Sequence, residues 1–419
     1  MSIVTSMPRA LARVLLIVAA CGCVRPPHPP QPAPDPAVTR ARVDSARADS
    51  IRAERERREA IRADSTRAAL ADSIARARAD SIARAAARVR VCAGGDLLLS
   101  TNLDTTWAVR RGADPFPDPD ELLAPLRPLV DDAEMVLLNI EGAIGEGEAP
   151  SKCREGSTNC YAFRQPIAVA DAIRRIAPDA AVVGNVANNH ARDAGDAGLR
   201  ATVRHLESAG VHVTGSDTLA TLIPLMEGDT IAVLGFSTSG GGPDPRDLDA
   251  VRRHVARAAA AHDRVVVTMH MGAEGSSAQR TPNATEIFLG SIDRGNSVAF
   301  ARTAVDAGAD LVVGHGPHVM RAGEWRDDAL ILYSLGNLLT YGPFSLSEPK
   351  NRGAIACAVL DASGAVTEAV LRSTVQRAPG VADVDPSGRA AFLVDSLSRL
   401  DFPGTGVVVG AEGVLQRAP

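Results

Sequence analysis

Residues 179–195 read DAAVVGNVANNHARDAG. The first six form a short apolar run ending at Gly184, and its length and composition fit a buried strand. Directly after it stand Asn185, Asn188, Asn189 and His190. Buried amides and imidazoles need hydrogen-bond partners, so a strand tip crowded with them marks a place where something is bound. Whether that place is a site depends on whether other strands end the same way.

They do. The run Val89–Cys92 leads to Gly95-Asp96, and Met135–Leu138 leads to Asn139-Ile140-Glu141. Val265–Thr268 leads to His270 and, within HMGAEG, Glu274; Leu311–Val313 leads to GHGPH with His315 and His318. Further runs, Ile231–Leu234 and Leu330–Tyr333, complete the set of predicted strands. Amphipathic stretches between them predict helices at 167–176, 198–208, 247–261 and 297–307, with Gly210 and Gly308 as C-caps of two of them. A hairpin over 354–372, turning at Asp361–Gly364, and a helix over 390–400 follow. This alternation is that of an α/β protein, in which the carboxyl ends of parallel strands gather around one crevice.

A lone histidine after a strand is ordinarily structural. Here four of the chain's nine histidines fall at such tips, beside carboxylates and amides. That donor set has no sulfur and suits Zn, Mn or Fe. The expectation is a centre holding one or two divalent ions. The net charge of −5 excludes a basic footprint for nucleic acid. Aromatics make up only 3% of the chain, so the core is built from Val, Leu, Ile and Ala. No base-stacking aromatic is evident near the motifs, which weighs against a plain nucleotidase.

GGD at 94–96, NIEG at 139–142, ANNHARDAG at 187–195, HMGAEG at 270–275, GHGPH at 314–318 and YSLGNLL at 333–339 together resemble the CapA-type capsule and poly-γ-glutamate synthesis proteins, across about residues 91 to 372. That family is similar in fold to the calcineurin-like metallophosphoesterases. The resemblance implies a four-layer α-β-β-α sandwich with a two-metal site. It also implies that Asp96 and His318 bind the first metal, that Glu141 bridges, and that Asn189, His270 and His315 hold the second. His190 would face the substrate as electrophile or general acid. Asn139, Glu274, Asn337 and Arg164 are candidates for contacting substrate, Arg164 being equally able to pair with a nearby acid.

The sequence departs from the phosphoesterase pattern. Where the first motif has Asp-x-His, Leu98 stands in the histidine position, and the second motif is replaced by Asn139-Ile140-Glu141. The first metal thus lacks a nitrogen ligand. Met271 and Leu338 replace aromatics of the CapA-like pattern and read as packing changes.

Residues 1–20 carry Arg9 and Arg13 and then an apolar stretch ending in Val18-Ala19-Ala20, followed by Cys21, which resembles a bacterial lipoprotein signal. It implies cleavage before Cys21, lipidation of that thiol and an exported protein anchored at a bacterial membrane, on the periplasmic face or in the outer membrane. Residues 21–38 are the anchor and a proline-rich linker. Residues 39–88 repeat RADSI-like units rich in Ala and Arg, which predicts a charged helical spacer; its apolar positions hold no strict heptad, so a solvated spacer is expected rather than a coiled coil. The domain proper would be 89–419. In an oxidising compartment Cys153 and Cys160, flanking a short polar loop, are expected to form a disulfide, whereas Cys92 and Cys357, set in apolar runs, read as ordinary core residues.

Two functions follow. One is an envelope hydrolase or transferase acting on an anionic polymer or its precursor. The other is a non-catalytic assembly factor that binds polymer or a membrane synthase.

Overall fold

A computed structural model of the chain describes residues 36–86, 88–101, 106–145, 153, 161–225, 229–239 and 243–419. The signal segment, Cys21 and most of the proline-rich linker lie outside these residues, as does Cys160. Cys153 is disulfide-bonded.

The chain divides into residues 1–77 and a compact unit, Arg78–Pro419. Helix α1 runs Pro36–Ala86, 51 residues, or about 75 Å at 1.5 Å per residue. Glu54 and Arg58 pair at 2.7 Å and Arg55 and Glu59 at 3.0 Å, each one turn apart. Its apolar side chains, including Val43, Ile51, Ile61 and Leu70, are exposed. From Val43 to Ile74 the apolar side chains of the spacer are therefore in solvent, as its composition predicted. Among the described residues no helix is long and apolar enough to cross a membrane.

In the compact unit the main strands are β1 Val89–Leu98, β2 Met135–Ile140, β3 Ala181–Asn185, β4 His212–Thr214, β5 Thr221–Pro224, β6 Thr230–Ser237, β7 Arg264–His270, β8 Leu311–His315, β9 Gly323–Arg326, β10 Ala329–Leu332, β11 Asn337–Thr340, β12 Arg352–Leu360, β13 Val366–Arg377 and β14 Val381–Val384. The five longest described helices of this unit are α2 Ala168–Arg174, α3 Gly195–Ser208, α4 Leu248–Ala259, α5 Ser297–Asp306 and α6 Arg389–Asp401. Every strand and helix expected from the sequence is present within a few residues. Gly210 and Gly308 end α3 and α5 with φ of 85° and 105°, the left-handed cap that glycine adopts without strain.

The strands form two sheets. The first has the order β14-β13-β12-β1-β2-β3-β4, with β11 also paired to β1; the second has the order β9-β10-β8-β7-β6-β5. β1 to β4 run parallel in the first, and β6, β7, β8 and β10 in the second. Side chains alternate along each strand, and both faces are buried. Met135 and Leu137 of β2, Val266 of β7 and Leu311 and Val313 of β8 fill the layer between the sheets. Val136 and Leu138 meet Val169 and Ile173 of α2 and Leu199 and Leu206 of α3 on one outer side. Val265, Val267 and Val312 meet Val255 of α4 and Phe300 of α5 on the other. The result is the expected four-layer α-β-β-α sandwich. Each fully buried Val or Leu contributes about 1.5–3 kcal/mol, which is how so few aromatics suffice.

One cysteine expectation is overturned. Cys92 and Cys357 are buried but bonded to each other, S–S 2.07 Å, across 265 residues of sequence. They face one another directly in the antiparallel pairing of β1 with β12. An apolar neighbourhood shows that a cysteine is buried; it cannot show a partner on a distant strand.

Candidate metal centre

The period-two alternation that fills the inter-sheet layer continues, at the carboxyl ends of the strands, into polar residues. Leu137 is followed two residues on by Asn139, Val183 by Asn185, and Val313 by His315; Val266 is followed by Thr268 and His270. Register aligns them in rows: Asn337, Asp96, Asn139 and Asn185 across the first sheet, and Ser237, His270 and His315 across the second. The site is the end of the inter-sheet core.

Asp96 does not follow β1, as its sequence suggested, but lies within it. The pairing of β1 with β2 shifts register between Ala93 and Asp96, a bulge that re-aims the chain. Gly95 makes this possible. A Cβ there would stand 2.1 Å from the Gly336 carbonyl oxygen, while Asp96 N donates to that oxygen at 2.9 Å. Leu98 is buried, so the position of the missing imidazole belongs to the core.

Asn139 is the hub. Its Nδ2 donates to Asp96 Oδ1 at 2.8 Å and lies 3.4 Å from His270 Nδ1. Its Oδ1 accepts from Asn185 Nδ2 at 2.9 Å and Asn188 Nδ2 at 3.2 Å. The sequence offered Asn139 as a substrate contact; the structure places it, fully buried, in the scaffold that holds the carboxylate. The asparagines of 185–188 brace it.

Around this scaffold the expected ligands converge. Donor atoms of Asp96, Glu141 and His270 lie within 4.8 Å of one another. His270 Nε2 is 3.8 Å from Glu141 Oε1, and His315 Nδ1 is 3.6 Å from Asp96 Oδ1. His318 reaches Asp96 Oδ2 at 2.9 Å through Nδ1 and Glu141 Oε1 at 3.7 Å through Nε2. Asn337 Oδ1 lies 3.0 Å from His318 Nδ1. This makes Asn337 a positioner of His318, whose φ of 59° is rare for a side chain with a Cβ. Asn189 sits one step out, its Nδ2 3.5 Å from Glu274 Oε1, and Glu274 Oε2 is 3.8 Å from His318 Nε2. Arg164 lies in the short strand Arg164–Gln165, paired with Ala143–Ile144 just beyond Glu141, and is partly exposed.

The electrostatics follow from burial. Burial opposes ionisation of Asp96, yet the contact with His318 and the nearby imidazoles outweigh it and hold this carboxyl well below the usual range. Burial and then the Asp96 charge push Glu141 up to about 8. Burial lowers His315 to about 4, against Asp96, and burial with Arg294 lowers His270. For His318 burial is outweighed by Glu141, Asp96 and Glu274, so its affinity for a proton rises.

Whether a cation fits can be judged from the donors. Glu141 Oε1, His270 Nε2 and both ring nitrogens of His315 are buried without a hydrogen-bond partner among the described residues. Such atoms ordinarily cost about 1–3 kcal/mol each. Glu141 Oε1, His270 Nε2 and one ring nitrogen of His315 form an oxygen and nitrogen set that suits a divalent ion.

Some of the machinery escaped the sequence. Asp193 Oδ2 lies 2.7 Å from His190 Nδ1 and also accepts from Phe163 N at 2.6 Å; its place three residues after His190 was the available signal. Arg294, buried, donates to the Gly272 carbonyl at 2.9 Å and pairs with Glu274 at 3.1 Å; nothing local in its sequence marks it. The expected lack of aromatics is corrected, since Phe163 stacks on His190 with centroids 4.5 Å apart.

The chain is similar in sequence to known proteins. The sequence model described as "Bacterial capsule synthesis protein PGA_cap" matches residues 90–341. The chain is 33% identical over 171 residues to the PGA biosynthesis protein CapA of Bacillus subtilis, covering 37% of this chain and 41% of that one. It is 28% identical over 174 residues to the capsule biosynthesis protein CapA of Bacillus anthracis, covering 37% and 39%. These matches thus span about two fifths of each relative's length. Among solved structures the chain is similar to calcineurin-like phosphoesterase YfkN of Bacillus subtilis, at 10% identity and TM-score 0.38 over 68% of this chain and 90% of that one. It is also similar to a 5'-nucleotidase precursor of Thermus thermophilus, at 14% identity and TM-score 0.35 over 76% and 59%. The family match runs from Arg90 to Tyr341 and takes in every residue of the cluster, so this chain belongs to the bacterial capsule synthesis protein PGA_cap family.

Proposed function

We propose that the chain is a metal-dependent hydrolase or transferase that acts outside the cytoplasm on a capsule-type anionic polymer or a phosphate ester precursor of one. The observation that carries this reading is the approach of Asp96, Glu141 and His270 to within 4.8 Å, with partnerless donor atoms on Glu141 and His270. In this reading Asp96 and His318 would hold one ion and Asn189, His270 and His315 a second, with Glu141 completing the set. A divalent ion held there would supply charge neutralisation for a substrate oxyanion and a lowered pKa for water. Zn, Mn and Fe suit the donors.

The chain's own residues supply the rest. Asn139 fixes the Asp96 carboxylate through the 2.8 Å bond. Asp193 orients His190 through Nδ1 at 2.7 Å; when the ring also carries a proton on Nε2, that is the proton given to a leaving oxygen. Glu274, held by Arg294 at 3.1 Å, borders the opening with Asn189. Arg164 meets an anionic group of the substrate. A lipid on Cys21 and the α1 spacer hold the domain away from a bacterial membrane, within reach of polymer and of a membrane synthase.

The non-catalytic reading is favoured by one observation, the burial of Leu98 where phosphoesterases have an imidazole. Hydrolysis of bis(p-nitrophenyl) phosphate by the purified full chain with added Mn, Zn or Fe separates the two. Hydrolysis abolished by Asp96→Ala and His270→Ala supports the enzyme. No hydrolysis of this or any capsule precursor, with polymer output intact in cells carrying both variants, supports the assembly factor.

A further inference from the structure

A run of three aromatic side chains begins at His190, in a chain with only eight Phe, three Tyr and two Trp. Phe163 stacks on the imidazole at 4.5 Å and 29°. Phe344 meets Phe163 edge-on at 5.6 Å, and Tyr161 lies 6.1 Å from both Phe163 and Phe344. The rings form one contiguous cluster that runs from His190 to the exposed Tyr161. Phe163 is buried, Phe344 partly so, and Tyr161 is 48% exposed.

The inner end has a structural reason, because Phe163 packs the imidazole and donates its N–H to Asp193. The outer end does not. Tyr161 leaves half its surface in water, forgoing burial that a core aromatic would gain. An aromatic face steadied by two neighbouring rings is preorganised to receive another flat ring.

We propose that Tyr161 and Phe344 form a stacking subsite for a ring, the C–H face of a sugar or the plane of a nucleobase, carried on the leaving-group side of the substrate. This rests on the reading that His190 serves the leaving oxygen: a ring attached to that oxygen extends past His190 onto Phe344 and Tyr161. Stacking tolerates many rings, since each offers a face. A ringless γ-glutamyl chain gains nothing from it. The subsite therefore narrows the substrate to a glycosyl or nucleosidyl phosphoester.

The test is binding to the full chain. Uridine 5'-monophosphate, glucose 1-phosphate and ringless glycerol 3-phosphate are titrated by calorimetry; uridine and methyl glucoside are followed by saturation-transfer NMR. The expected result is that at least one ring series binds, that Tyr161→Ala weakens it about tenfold, and that Tyr161→Phe retains it. Which series binds tells sugar from base. Glycerol 3-phosphate reports on the phosphoester reading alone and is unaffected by Tyr161→Ala. If it fails to bind while a neutral ring compound binds through Tyr161, the phosphoester reading falls and the subsite stands. The subsite is overturned if no ring compound binds, or if Tyr161→Ala and Phe344→Ala, both folded by circular dichroism, bind as the wild type does.

Discussion

His190 Nδ1 lies 2.7 Å from Asp193 Oδ2, and the Asp193 side chain is fully buried. The same oxygen accepts the Phe163 N–H, so one carboxylate ties the orientation of the imidazole to the wall of the crevice. Asp193→Asn keeps the shape but replaces an anionic acceptor with an amide. On the proposed reading turnover falls by about 10–100-fold with KM little changed, as for other partners that orient a functional imidazole. Asp193→Ala also leaves the Phe163 N–H without its acceptor and lowers stability by about 1–3 kcal/mol. Steady-state kinetics with thermal unfolding measure both.

Asn139 joins the carboxylate to its supports. Asn139→Ala removes the donor to Asp96 and the acceptor of Asn185 and Asn188. Stability is expected to fall by about 1–3 kcal/mol, and divalent-ion affinity by about 10–100-fold. Denaturant unfolding and calorimetric titration of the ion read these separately.

Ion affinity should depend on pH with a fixed sign. Burial and the Asp96 charge raise Glu141 to about 8, and Glu141, Asp96 and Glu274 raise His318 against burial. Ligands must be deprotonated to bind a cation. Below pH 8 a proton on Glu141 competes with the ion, so affinity rises as pH climbs toward and past 8, and binding releases protons. Titrations in buffers of different ionisation heat count those protons; a pH-independent affinity would show that neither group ligates.

The order of strands and helices was legible because both sheets are buried on both faces, so each strand reads as an apolar run. The polar tips were legible because those runs stop abruptly at Asn139, Asn185 and His270. Their roles were less so. Asn139 looked like a substrate contact because sequence shows that an amide is present but not that two more amides and a carboxylate surround it. Asp96 looked like a residue beyond its strand because a bulge at Gly95 leaves no mark except glycine. Arg294, Phe344 and the Cys92–Cys357 bond depend on partners far away in sequence, which local pattern cannot show.

That bond invites its own test. It closes a span of 265 residues between β1 and β12, in the strand that also carries Asp96. Cys92→Ala with Cys357→Ala should lower stability by about 2–5 kcal/mol. Cys92 and Cys357 should resist labelling until the protein is both unfolded and reduced. Unfolding midpoints and mass spectrometry after alkylation check both.

The central claim is that Asp96, Glu141 and His270 grip a cation, and metal content of the purified full chain tests it most directly. Elemental analysis after incubation with Mn, Zn or Fe and desalting should find at least one ion per wild-type chain. Asp96→Ala and His270→Ala, folded by circular dichroism, should retain far less. A folded wild type that holds no more metal than those variants would contradict the account.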